Sequence, residues 1–86
     1  MDCGSICGVY LRAEPKSSEE EILSDIYSAY RRLGPRGACY VICINISALC
    51  KSTGDCGEAA REFARRYRLI AEIYRGELLR IASALR

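Results

Sequence analysis

A small, mostly α-helical bundle is the fold that this 86-residue chain predicts, and three observations predict it. Two capping boxes each precede a run of apolar residues at helical spacing. Phe63, Tyr67, Ile70, Tyr74, Leu78, Ile81 and Leu85 step by three or four residues, so at 100° per residue they fall within an arc of about 80°. Six cysteines stand as the close pairs Cys3/Cys7, Cys39/Cys43 and Cys50/Cys56. Crosslinks of that kind suit a single domain over residues 1–86, because a chain this short buries only about 60% of the surface its unfolded form exposes. No repeat, low-complexity tract or interdomain linker interrupts it.

Residues 6–13, Ile-Cys-Gly-Val-Tyr-Leu-Arg-Ala, suit either a short strand or one helical arm closed by Pro15. Ser18 with Glu21 three residues on opens a helix over 18–33, in which Ile22, Leu23, Ile26, Tyr27, Tyr30 and Leu33 recur at helical spacing until Gly34-Pro35 stops them. Residues 39–50 are ambiguous. Their β-branched and aromatic content favours a buried strand, whereas the Ala-Leu-Cys-Lys ending with glycine beyond it resembles a helix terminus. Helical geometry would put Cys39, Cys43, Ile46 and Cys50 on one line. The alternative fold is therefore α+β, with a two-stranded β-α-β unit at 6–12 and 39–46. A two-stranded parallel sheet lacks the cover that parallel sheets need, which favours the helical fold.

Asp55 and Glu58 form the second capping box, and the last helix then runs for some thirty residues, about 45 Å at 1.5 Å per residue. A compact chain of this length is only about 30 Å across. The helix is therefore expected either to kink at Gly76 or to pack its distal half on a second copy. A homodimer joined through Tyr67, Ile70, Tyr74, Leu78, Ile81 and Leu85 is the preferred expectation.

Hydrophobic residues make up 50% and charged residues 28% of the chain, the composition of a folded soluble protein. The longest apolar run, Ala38 to Ile44, is far short of the roughly 20 residues of a spanning helix. The Met-Asp-Cys-Gly-Ser start lacks the basic and apolar regions of a signal peptide. A cytoplasmic protein with no membrane partner is expected. Cytosolic thiols stay reduced in ordinary mesophiles, and hyperthermophiles are the exception. With eleven arginines against two lysines, an archaeal hyperthermophile or a virus of one is the expected source, and a GC-rich genome is the alternative explanation of the arginine excess.

Cysteines four apart share a face on a helix or a strand. Facing Cys-x3-Cys pairs on two antiparallel helices can form two bridges, here Cys3 to Cys43 and Cys7 to Cys39. This is similar to the disulfide-linked helical hairpins of the small mitochondrial Tim type in the spacing within each pair, and no function is carried over. Cys50 and Cys56 can close the loop between them. The same Cys3, Cys7, Cys39 and Cys43 also suit tetrahedral zinc or an iron-sulfur cluster, and buried thiols without special chemistry are the third reading. Catalysis is not expected. Cys-x2-Cys is missing, and histidine, the commonest activating base, is absent.

Residues 1–33 carry four basic and six acidic side chains, whereas residues 34–86 carry nine and five. The basic character therefore belongs to the C-terminal half. There, Arg61, Arg65, Arg68 and Arg75 lie opposite the apolar stripe of the last helix. Glu58 to Arg61, Glu62 to Arg66, Arg68 to Glu72 and Glu77 to Arg80 have the spacing of helical ion pairs. Residues 46–66 loosely resemble a helix-turn-helix unit, with Leu49, Cys50, Gly54, Ala60 and Phe63 in its apolar and turn positions, although Thr53 and Asp55 depart from the pattern. The expected function is a small crosslinked nucleic-acid-binding regulator acting on DNA through Arg61, Arg65, Arg66 and Arg68. A structural or protein-interaction module is the alternative, and a Cys-ligated metal protein a further one. No small-molecule substrate or cofactor is evident.

Overall fold

The computed structural model describes residues 2–85, and among these it contains helices and no strand. Six helices follow in order: α1 (Cys3–Cys7), α2 (Glu19–Leu33), α3 (Pro35–Thr53), α4 (Cys56–Arg66), α5 (Arg68–Ile73) and α6 (Arg75–Leu85). The β-α-β alternative is thus overturned at both of its expected strands. Residues 39–46 lie inside α3, and residues 6–12 end α1 at Gly8, which is left-handed, and then run on without regular structure.

Ambiguity at 39–50 has a physical cause. α3 is the central helix, packed by α1, α2, α4 and α6, and it buries Gly37, Ala38, Cys39, Val41, Ile42, Cys43, Asn45 and Ile46 on several sides. A helix that is apolar most of the way round loses the 3.6-residue pattern that distinguishes it from a buried strand.

α2 forms where its capping box lies. The Ser18 hydroxyl accepts the Glu21 N–H at 3.2 Å and donates to the Glu21 carboxylate at 3.0 Å. Three glutamates in its first turn and two arginines in its last also suit the helix dipole. It buries Ile22, Ile26 and Ala29. Gly34, at φ +69°, and Pro35 at the first position of α3 reverse the chain in a single residue. The two helices then pack backbone to backbone, since a Cβ at Gly37 would run into the Ala29 carbonyl.

The segment between α1 and α2 is held by Asn45, a buried polar residue of α3. Its Oδ1 accepts the Lys16 N–H at 2.9 Å, and its Nδ2 donates to the Val41 carbonyl at 2.8 Å. α1, only five residues long, is too short to persist alone. Disulfides Cys3–Cys43 and Cys7–Cys39, each with a Cα separation of 5.7 Å, fix both its ends to α3. Cys50–Cys56, at 4.5 Å, joins α3 to α4 across the turn.

The C-terminal stripe is present, but one long helix is not. The chain breaks at Tyr67 (φ −123°, ψ 69°) and Tyr74 (φ −116°, ψ 33°), and Gly76 lies within α6. Bending wraps the stripe round α3, so that Phe63, Ile70 and Ile81 reach 0% exposure. Burying each such side chain contributes about 1.5–3 kcal/mol. The Phe63 and Tyr67 rings meet edge to face at 5.0 Å across the first break, and the Glu19 carboxylate caps α5 by accepting from the N–H groups of Leu69 and Ile70.

The chain measures 31 × 25 × 21 Å, so no helix overshoots it and the length argument for a homodimer lapses. Tyr67, Ile70, Leu78 and Ile81, expected at the dimer interface, are buried within the chain's own core, and Tyr74 and Leu85 pack against it.

Candidate functional site

All six cysteines are paired, so the four thiolates that zinc or an iron-sulfur cluster would require are engaged in the bridges of this oxidised state. Cys3, Cys7, Cys39 and Cys43 are buried, while Cys50 and Cys56 are half-buried. Arg80 of α6 closes over the inner bridge, donating to the Ile6 carbonyl at 3.2 Å and lying 3.3 Å from the Cys39 sulfur.

The arginines expected to form one cationic face are divided by the fold. Arg61 pairs with Glu58 at 2.6 Å. Arg65 and Arg66 converge on Glu62 at 2.8 and 2.7 Å. The Arg66 hydrogen bond, followed by the charge of Arg65, holds the Glu62 carboxyl below its ordinary range. Three of the four expected helical pairs form, whereas Arg68 and Glu72 make no ion pair among the described residues. Arg68 instead lines a groove between α4 and α6 together with Arg61 and Arg75. The α3–α4 turn contains a left-handed Gly54 and an Asp55 side chain that accepts from Gly57 and Glu58 N–H. Every outward arginine of α4 is thus already occupied by a neighbouring carboxylate.

A second basic surface, absent from the sequence reading, lies at the α2–α3 corner. Tyr27 and Tyr30 are 65% and 49% exposed there, not packed in the core as their position on an apolar helical face suggested. Arg31, Arg32 and Arg36 are exposed near the same corner, and none makes an ion pair among the described residues. The Arg31 guanidinium lies 5.7 Å over the Tyr27 ring, and Arg36 reaches back to Gly8. Arg32 shares a cleft of about 340 Å³ with Arg12, where Asp25 is engaged by Lys16 at 2.7 Å. A signal for this surface was available. The six apolar residues of α2 span about 140° at 100° per residue, too wide an arc for one neighbour to cover, and both tyrosines follow a buried residue by one position.

The chain matches no protein-family model, and no curated protein or solved structure is significantly similar to it.

Proposed function

We propose that this chain is a non-catalytic nucleic-acid-binding protein whose contact surface is the α2–α3 corner. The observation that carries this reading is the exposure of Tyr27 and Tyr30 on α2 with the Arg31 guanidinium over the Tyr27 ring, while Arg12, Arg32 and Arg36 are exposed elsewhere round the corner, none of the four arginines being neutralised by an ion pair among the described residues. Guanidinium forks suit phosphate oxygens. Exposed tyrosine faces suit stacked bases, a combination typical of single-strand binding without base-edge readout. Gly34 and Pro35 fix the corner, and the crosslinked core behind it removes much of the ordering cost of binding. The helix-turn-helix-like placement on α4 is less favoured, because Arg61, Arg65 and Arg66 would first have to release Glu58 and Glu62.

The test is fluorescence anisotropy with a labelled single-stranded oligonucleotide and a duplex of the same sequence, titrated at several salt concentrations. Replacing Tyr27 or Tyr30 by alanine should weaken single-strand binding by about 1–3 kcal/mol per stacked base. Replacing Arg31, Arg32 or Arg36 by glutamine should each reduce the logarithmic salt slope by about 0.7. Arg61→Gln and Arg65→Gln should change neither. The reverse pattern, with the α4 variants weakening binding and the corner variants silent, would return the site to α4.

A further inference from the structure

The bend at Tyr67 and Tyr74 folds α6 back towards α4 and leaves between them an open trough of about 660 Å³. Its floor is built from Gly57, Ala60 and Ala64 of α4 and Ala82 of α6, and Leu79, 67% exposed, forms part of its wall. Small residues one helical turn apart let another helix approach closely, since interaxial distance is set by the side chains at the contact.

The charges round this trough are unusual for this chain. Six arginines lie between residues 56 and 85. Arg61, Arg65, Arg66 and Arg80 each hold a carboxylate, while Arg68 and Arg75, which make no ion pair among the described residues, both line the trough. Arg75 is the first residue of α6, an 11-residue helix, where the dipole disfavours a cation. Only one acidic residue, Glu72, lines the trough against Arg61, Arg68 and Arg75.

We infer that the α4–α6 trough is a docking site for an acidic amphipathic helix of a partner protein. The partner's apolar face rests on the alanine floor, and its flanking carboxylates pair with Arg68 and Arg75. The apolar floor favours an amphipathic helix over a nucleic acid, because no aromatic side chain lines the trough to stack on bases. This surface is independent of the α2–α3 corner.

The experiment uses the full-length oxidised protein and a fluorescein-labelled designed helical peptide with leucine on one face and glutamate on its flanks. A matched peptide with lysine in place of glutamate is the control. The expected result is saturable binding of the acidic peptide, with the lysine peptide at least about tenfold weaker. Arg68→Gln with Arg75→Gln should weaken the acidic peptide by about tenfold or more. Ala64→Trp should block it with an unchanged far-UV spectrum, and the exposed arginine variants keep the test valid if the tryptophan variant misfolds. Arg31→Gln should leave peptide affinity unchanged. Equal binding of the two peptides, no binding of either, or displacement of the acidic peptide by a single-stranded oligonucleotide would overturn the inference. Self-association in sedimentation that Ala64→Trp abolishes would overturn it too, since a second copy would then be the occupant.

Discussion

Disulfides Cys3–Cys43 and Cys7–Cys39 are nested, which makes their energies interdependent in a calculable way. The outer bridge spans 40 residues and the inner 32. On the chain-entropy relation either alone would stabilise the fold by about 3.7–3.9 kcal/mol. With one in place, however, the second closes only the small ring made by residues 3–7 and 39–43, worth about 2.7 kcal/mol. Removing one bridge by paired Cys→Ala substitution should therefore lose about 2.7–2.9 kcal/mol of crosslink stabilisation, and removing both about 6.5. The double loss exceeds the sum of the single losses by about 1 kcal/mol. Packing losses at the buried sulfur positions add to each variant and, to first order, drop out of the double-mutant cycle. Guanidinium unfolding under non-reducing conditions measures all four corners of the cycle, and the denaturant slope should rise as crosslinks are removed. Strictly additive losses, with no coupling between the two bridges, would refute the nested-loop reasoning.

Asn45→Leu should destabilise the chain by about 1–3 kcal/mol, because the part-buried Lys16 N–H loses its acceptor; thermal unfolding measures the loss, and faster Lys16 amide exchange locates it. Gly37→Ala should cost about 1–3 kcal/mol by overpacking against the Ala29 carbonyl, read as a lower denaturation midpoint. Glu62 is held below its ordinary value by Arg66 and then Arg65. Its contribution to stability is therefore complete above the unfolded-state value and is lost as pH falls through the folded one. Denaturation midpoints measured from neutral to acid pH should show a shallower decline for Glu62→Gln than for the parent chain.

How much of this was legible beforehand depended on whether a residue's role was local. Ser18, Asp55, Gly34 and Gly54 act within four residues of themselves, so the ends of α2 and the start of α4 follow directly from sequence. The identity of α3 was not local, because the neighbours that bury it on several sides are up to forty residues away. The breaks at Tyr67 and Tyr74 were hidden for a related reason. Periodicity records which side of a helix is apolar, and a stripe wrapped round a core keeps the period of a straight one. Arg61, Arg65 and Arg66 were recognisable as cations, and the pairing of Arg61 with Glu58 and of Arg66 with Glu62 was readable from spacing. The trough between α4 and α6 exists only because of the bends and had no sequence signature.

The arrangement of crosslinks also divides the chain into parts of unequal tenacity. Residues 3–43 form a covalently closed circuit containing α1, α2 and most of α3, whereas everything beyond Cys56 is joined to it by the 50–56 ring and by non-covalent contacts such as Glu19 with α5 and Arg80 with Ile6. The closed circuit limits how far α1, α2 and α3 can separate, whereas α4–α6 keep their places through the one apolar core that both parts share. The surfaces assigned to nucleic acid and to a partner helix lie on opposite sides of this division. The tyrosine-bearing corner therefore lies within the part of the chain that the two nested bridges close, and the partner-helix surface lies outside it.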